Sequence, residues 1–245
     1  MDNLTILLPL IFCAAFIFSS VGHGGATAYL AAFALMGVAP ESMRPAALFL
    51  NVLVASIALY RFYKVSAFNW PLFWPIALLS VPLAYVGGQV DLPSQLYKTL
   101  VGLTLIYAAW TIYRHASKSE IEVIQPVKRP ILMVLGAGLG FLSGLTGVGG
   151  GIFLSPILLT LNWAKTKVIS GIAAAFILVN SIAGLLGVLS KNPSLPNGLI
   201  YYAIAAALGG LIGAEYGSKR LNNAKIRQMM ALVLLFAGVK IVFSG

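Results

Sequence analysis

Ser20-Val-Gly-His-Gly-Gly-Ala-Thr27 interrupts an apolar run near the N-terminus, and Thr146-Gly-Val-Gly-Gly-Gly-Ile152 interrupts a second one 125 residues later (Gly22 to Gly147, Gly24 to Gly149, Gly25 to Gly150). Both lie in a chain of 245 residues that is 60% hydrophobic and 9% charged, with a mean hydropathy of +0.94. An ordinary soluble domain carries about 25% charged residues, so this composition belongs in a bilayer. The apolar runs are helix-length, without the roughly ten-residue alternating segments of a transmembrane barrel. The fold class that follows is an all-α polytopic membrane protein.

Several function classes fall away on composition. The start Met1-Asp2-Asn3 has no basic region ahead of its apolar run, so Leu4 to Ser20 reads as a retained helix. The longest polar stretch, Arg114 to Pro130, is too short to bury a core of its own. A lone Cys13 excludes an internal disulfide and a cysteine-based metal site, and neither a metal nor a cofactor is expected. The net charge of +10 reads as basic cytoplasmic loops rather than a nucleic-acid surface. No Walker A pattern is present. The six acidic residues (Asp2, Glu41, Asp91, Glu120, Glu122 and Glu215) sit at segment ends or in loops, leaving no intramembrane carboxylate pair. Ser20 and His23 lack an orienting acid for a hydrolytic dyad, so the chain reads as no enzyme.

Punctuation by polar residues, Gly and Pro divides the chain into ten apolar pieces. They are Leu4 to Ser20, Ala26 to Val38, Pro45 to Tyr63, Trp70 to Val90, Leu96 to Tyr113, Ile131 to Leu145, Ile152 to Leu161, Val168 to Ser190, Gly198 to Gly217 and Ile226 to Phe243. Five precede the polar linker and five follow it. Residues 1–113 therefore read as a first transmembrane repeat, 114–130 as a cytoplasmic basic linker and 131–245 as a second repeat. Beside the glycine match, Leu96-Tyr-Lys-Thr-Leu-Val101 resembles Lys225-Ile-Arg-Gln-Met-Met230, and Asn51 falls within a helical turn of the repeat image of Asn180. Leu4 to Val38 as one helix would be roughly 52 Å long, too long for a hydrocarbon core of about 30 Å, so it must break at the glycines. The broken pair is either a re-entrant hairpin or two short crossings.

Loop charges bear on the orientation. An odd number of crossings per half puts Arg44, Lys98, Lys191 and Lys240 on one side and the other 12 of the 16 Lys and Arg on the opposite side; an even number divides them 8 and 8. Positive charge concentrates on the cytoplasmic side, which favours the odd count. Two inverted-topology repeats follow, with both termini outside. Inverted repeats with helices broken at matching places are a common plan of secondary transporters.

A helix that starts inside a membrane presents unpaired N–H groups and its positive dipole end, tolerable only where the break is buried in protein or lines a wet cavity. The glycine clusters can aim several N–H groups at one point, a nest that prefers an anion. Gly22, Gly24, Gly25, Gly147, Gly149, Gly150 and Gly151 are the candidate backbone donors, with Thr27, Asn51, Thr146, Asn180 and Ser181 as polar side chains around them. Ser19, Ser20 and Ser143 lie nearby. Glycine also serves close packing of membrane helices, the reading given to Gly136, Gly140 and Gly144. His23 is the one ionisable residue placed deep in a segment, suited to proton coupling or to an anion; a neutral ring bonded to a carbonyl is its plain structural alternative. Arg44 reads as a surface partner of Glu41 three residues earlier or as an access gate, and Lys167 as an anion attractor at the cytoplasmic mouth or an orientation signal. Pro156 is expected to kink its helix.

These residues carry a resemblance. Gly22-His-Gly-Gly25 with Gly37-Val-Ala-Pro-Glu-Ser42, and Thr146-Gly-Val-Gly-Gly-Gly-Ile-Phe-Leu-Ser-Pro156 with Gly171-Ile-Ala-Ala-Ala-Phe-Ile-Leu-Val-Asn-Ser181, are similar to the sulfite exporter TauE/SafE family over nearly the whole chain. The first half departs from the family pattern at His23, at Ala26 in place of a third glycine, and at Ala31 where the second half has Pro156. The resemblance implies a bacterial inner-membrane permease for sulfite, sulfonates or related sulfur-containing anions, driven by an ion gradient. The expected partners are a small anionic substrate, a coupling proton or other ion, and the lipid bilayer; a homodimer stays open. Rival readings are an uptake permease for another small solute, an anion channel, or an intramembrane scaffold.

Overall fold

The computed structural model of the chain describes residues 2–65, 67–115, 125–191, 195, 198–219, 234–236, 238–239 and 241–243. Nine helices run in order among them: α1 (Asp2–Ser19), α2 (Ala26–Leu35), α3 (Pro40–Lys64), α4 (Trp70–Gln89), α5 (Ser94–His115), α6 (Arg129–Thr146), α7 (Gly151–Thr160), α8 (Thr166–Lys191) and α9 (Leu199–Lys219). Residues 234–236, 238–239 and 241–243 are helical as well, and no strand occurs among the described residues. Most of the 114–130 linker, the Lys225–Met230 image of Leu96–Val101 and the start of the Ile226 to Phe243 piece lie outside the described residues.

Local chemistry sets the boundaries. Pro40 at the first position and Glu41 in the first turn start α3 earlier than its apolar run does. Asn69 caps α4 by accepting the N–H of Leu72 at 3.1 Å. Five helices (α3, α4, α6, α8 and α9) are long and apolar enough to cross a bilayer. α2 and α7 have 10 residues each, so each rises about 15 Å, half a hydrocarbon core.

Much of the chain conformation repeats at the shift of 125, although Gly149 (φ 82°) has no positive-φ counterpart at Gly24. Gly22 and Gly147 have φ of 79° and 82°, and Gly25 and Gly150 have 96° and 73°. The Gly25 carbonyl accepts from Ala28 and Tyr29 N–H, and the Gly150 carbonyl accepts from Phe153 and Leu154 N–H. The short helices end alike. Val38 N–H bonds the Phe33 carbonyl and Trp163 N–H bonds the Leu158 carbonyl, each closing a Schellman turn around a left-handed residue. That residue is Gly37 (φ 69°) in one and Asn162 (φ 52°) in the other, the latter being the one non-glycine with positive φ among the described residues.

The two halves interlock. α1 packs along α9 and α6 along α4, so the first helix of each half lies on the fourth of the other; α3 and α8 cross at the centre, with α4 against α8 and α9 against α3. Close approach is set by stripes of glycine four residues apart, as expected on α6 but also on α9. A Cβ at Gly140 would lie 2.2 Å from the Ser80 carbonyl oxygen, and one at Gly213 would lie 1.9 Å from that of Phe16. Dispersion between closely packed backbones is a main source of helix association in lipid, where apolar burial between helices gains little.

This contact generates a paired expectation. Gly140→Val forces α6 off α4, at a cost of about 1–3 kcal/mol or more for an overpacked contact. Gly138→Ala, on the open side of the same helix with nothing within 4 Å, stays within about 1 kcal/mol of the parent or stabilises it. Thermal unfolding of the detergent-solubilised protein separates the two; equal midpoints would remove the glycine stripe as a determinant of packing.

Candidate functional site

The two glycine loops meet at the centre of the bundle, on Asn51 of α3 and Ile177 of α8. A Cβ at Gly24 would stand 2.2 Å from Asn51 Oδ1 and 3.1 Å from Ile177 Cγ2; a Cβ at Gly149 would stand 2.4 Å from Asn51 Nδ2 and 3.0 Å from the same Ile177 atom. Loops that correspond in the repeat thus press on the same two side chains from two sides. The absence of a side chain at either glycine is what admits Asn51.

Asn51 is fully buried and its carboxamide joins both loops. Its Oδ1 accepts the N–H of Ala26, the first residue of α2, at 3.1 Å. Its Nδ2 donates to the Val148 carbonyl and to Ser181 Oγ, both at 3.4 Å. The carboxamide oxygen therefore sits where a positive helix end would receive an anion oxygen. Among the described residues, the N–H groups of Gly24, Gly25, Gly149 and Gly150 find no protein acceptor.

His23 ties the first loop to the second half. Its Nδ1 lies 3.1 Å from the Val21 carbonyl oxygen, and its Nε2 lies 3.2 Å from the Gly151 carbonyl oxygen and 3.1 Å from Ser155 Oγ. Two tyrosines brace the loops further: the Tyr29 hydroxyl donates to the Gly24 carbonyl at 2.8 Å, and that of Tyr97 donates to the Thr146 carbonyl at 3.1 Å.

The other sequence candidates fall in different places. Thr27 is buried in the first turn of α2. Thr146 turns its hydroxyl back to the Leu142 carbonyl at 2.7 Å and accepts the Val148 N–H at 3.4 Å. Asn180 bonds elsewhere than Asn51: its Nδ2 donates to the Phe176 carbonyl of its own helix at 2.8 Å, while its Oδ1, like Ser143 Oγ, is buried without a hydrogen-bond partner among the described residues. The spatial counterpart of Asn51 is Ile177, since these two touch both loops; helical periodicity fixes a face and leaves a turn of uncertainty along it.

Arg44 is not the surface partner of Glu41 that its spacing suggested. It points inward with 8% of its surface exposed. Nε donates to the Gly144 carbonyl at 3.0 Å, Nη1 to that of Val90 at 3.0 Å and Nη2 to that of Gly87 at 2.6 Å. The last turns of α4 and α6 thereby direct their carbonyls, the negative ends of their dipoles, at one guanidinium. Arg44 also flanks the second loop, its Cγ standing 3.3 Å from where a Gly147 Cβ would be. Lys167 is exposed in the first turn of α8. α7 runs as one helix through Pro156. A separate surface groove of about 560 Å³ lies between α3 and α9, lined by Arg61, Leu211, Ile212, Glu215, Tyr216 and Lys219, with Glu215 bridged to both Arg61 and Lys219.

Sequence reasoning missed Tyr29, Tyr97, Ser155 and Ile177. Tyr29 carried a readable signal, a phenol one turn after a positive-φ glycine in an otherwise apolar helix. Ile177 carried none, because an isoleucine on a membrane helix looks the same toward lipid, neighbour or site.

Half-length helices whose starts meet between interlocked, apolar, membrane-length helices define a multi-pass helical membrane protein of the transporter kind. The chain belongs to the sulfite exporter TauE/SafE family, whose model matches residues 7–241. It is 37% identical to the "Probable membrane transporter protein y4hK" of Sinorhizobium fredii, across 95% of this chain and 95% of that one. It is also 27% identical to a "Probable membrane transporter protein" of Methanocaldococcus jannaschii, across 96% and 95% of the two chains. The corresponding protein YjnA of Bacillus subtilis is 25% identical across 98% of this chain and all of its own length. No solved structure matches the chain.

Removing the carboxamide tests the clamp. Asn51→Leu orphans the Ala26 N–H and the Val148 carbonyl, each a buried group costing about 1–3 kcal/mol when unpaired. The thermal midpoint in detergent should fall well below that of Asn180→Leu, which breaks one bond within its own helix. The reverse order would show that the loops are held together by something other than Asn51.

Proposed function

We propose that the protein is a secondary transporter that moves a small sulfur-containing anion, a sulfite, sulfonate or related oxyanion, across the bacterial inner membrane by alternating access. The single observation that carries this reading is the meeting of the two glycine loops on Asn51, whose oxygen already occupies the place of an anion at the start of α2. Family membership supplies the sulfur chemistry; the unpartnered backbone donors of Gly24, Gly25, Gly149 and Gly150 supply the affinity for negative charge. Asn51 and Ile177 fill the space between the loops, so the arrangement is closed, and entry of the anion draws the loops apart. The anion then replaces the Asn51 oxygen at the helix start while the carboxamide turns its N–H toward the cargo.

The halves are inverted copies in this reading, with the termini periplasmic and the basic linker cytoplasmic. The 12 to 4 division of Lys and Arg supports that orientation, and the repeated backbone conformation and exchanged helix packing support the copies. Alternating access is a change in how α3 and α8 cross, α1 moving with α9 and α6 with α4. Arg44, fastened to the ends of α4 and α6, controls one mouth, and Lys167 draws anions toward the other.

Proteoliposome uptake of sulfite, thiosulfate and taurine tests this. At least one should enter saturably, and Gly149→Leu, which drives a side chain into Asn51, should abolish uptake. Because that variant also strains a positive φ, Asn51→Asp is the milder arm: its carboxylate occupies the helix end permanently and should weaken anion affinity about tenfold or more in a protein that still folds. Uptake that does not saturate would indicate a channel, and full uptake by Asn51→Asp would place the anion elsewhere.

A further inference from the structure

Both ring nitrogens of His23 face carbonyl oxygens, Nδ1 that of Val21 at 3.1 Å and Nε2 that of Gly151 at 3.2 Å. A carbonyl oxygen only accepts, and a neutral imidazole has a single N–H, so the neutral ring can satisfy one of these contacts while the cationic ring satisfies both. Ser155 Oγ, 3.1 Å from Nε2, makes the neutral ring tolerable as well, since its hydroxyl can donate to the bare nitrogen. The site is thus built for two protonation states. In one, Nδ1–H donates to Val21 and Ser155 donates to Nε2. In the other, Nε2–H donates to Gly151 while the serine hydroxyl turns its proton away. Gly151 and Ser155 lie four residues apart on the first turns of α7, the half-helix whose start forms the second loop, so the charge on His23 is felt at the anion site.

We propose that His23 is the proton-carrying group of the transport cycle, binding one proton from water when an anion occupies the glycine loops and returning it to water when the anion leaves. The step makes and breaks one Nε2–H bond and needs no other reactant. It rests on the transport function proposed above. The energetic link is mutual. A cationic ring beside two positive helix ends is disfavoured when the loops hold no anion and favoured when they hold one, and by thermodynamic reciprocity the proton then tightens the anion by the same factor. Anion and proton therefore travel together, and uptake falls as pH rises through the range where the ring loses its charge, between about pH 5 and 8 for an imidazole.

Most of the titratable groups on the neighbouring helices have partners other than His23. On α2, Tyr29 holds the Gly24 carbonyl; on α3, Arg44 holds three carbonyls of α4 and α6. On α5, Tyr97 holds the Thr146 carbonyl and Tyr107 stacks on Phe153. On α9, Glu215 is bridged to Arg61 and Lys219, and Lys167 sits at the exposed start of α8. The repeat position of His23 is Val148, so one half carries the titrating side chain and the other cannot.

The test uses the full chain and separates its two premises. The chain has 2 histidines, so ¹⁵N-histidine labelling in a His115→Gln background reports His23 alone. In lipid nanodiscs the ring should pass from one N–H to two as pH is lowered, and thiosulfate, itself non-titrating in this range, should raise the cationic fraction at fixed pH. Ser155→Ala, which removes the donor to the neutral ring, should raise it without any anion. In proteoliposomes carrying an internal pH dye, wild-type thiosulfate uptake should acidify the lumen and change by about tenfold per pH unit at most. His23→Gln should carry far fewer protons per anion and lose the pH dependence, whatever its rate. An unchanged proton-to-anion ratio in His23→Gln, or a ring that stays neutral down to about pH 5, overturns the proposal and leaves anion transport standing. Failure of wild type to move any tested anion while the ring titrates overturns the transport function instead.

Discussion

A helix that begins in the middle of a bilayer must place its free N–H groups against something polar, because hydrocarbon offers no acceptor and each orphaned donor costs several kcal/mol. α2 and α7 both begin at buried glycine loops inside the bundle, and the centre of the protein is organised around satisfying those starts. The first N–H of α2 goes to Asn51; the same carboxamide reaches the Val148 carbonyl in the second loop. One residue on α3 thus couples the starts of two half-helices from different halves of the chain. α3 and α8 then have to cross at that point, which fixes where α4 and α9 lie against them and where α6 and α1 find room. The remaining donors, on Gly24, Gly25, Gly149 and Gly150, find no protein acceptor among the described residues, which is what the proposed anion site rests on.

The backbone of the two loops is repeated closely while their side chains are not. Positive φ at Gly22 and Gly147 and at Gly25 and Gly150, the helix starts and the Schellman ends recur at a constant shift, since each is forced by chain geometry that any copy of the motif must satisfy. The chemistry that faces inward differs: Asn51 lies opposite Ile177, and His23 corresponds to Val148. A single polar clamp and a single ring thus stand at the shared centre, where each half contributes different chemistry. Two carboxamides at the contact would leave extra buried donors to satisfy, and an isoleucine meets the same loops without that cost.

Much of this was readable in the sequence, for a definite reason. Glycines that must adopt positive φ tolerate few replacements, so Gly22, Gly25, Gly147 and Gly150 exposed the period and the helix breaks. Length against bilayer thickness did the rest, and the half-length of α2 and α7 followed. What stayed hidden was which helices touch. In lipid, a residue facing a neighbouring helix and one facing hydrocarbon are equally apolar, so nothing in the runs announced that α1 lies on α9 or that Gly209, Gly213 and Gly217 mirror the stripe of α6. Arg44 was misjudged for a related reason. A carboxylate three residues away suggests a salt bridge, yet the stronger partners are the carbonyl ends of α4 and α6, which come together only when the helices are assembled. Asn180 shared a face with the expected image of Asn51 but sits a turn too far along it.

Arg44 and the loops hold the centre with interactions of unequal strength. The guanidinium joins α3 to α4 and α6 through charge-assisted bonds to helix ends, which hold it more firmly than neutral pairs would, so these elements are fastened together at that end of the bundle. The loops, by contrast, meet Asn51 through neutral bonds of 3.1 and 3.4 Å, each worth about 0.5–1.5 kcal/mol net. An anion bound as proposed, to several backbone donors, would offset contacts of that size and would not displace the arginine clasp. The weaker contacts thus lie at the seam between α3 and α8, where Gly24 and Gly149 put no side chain between the loops and Asn51. In the proposed transport cycle the strong interactions would set which helices move as one, and the weak ones where the bundle opens.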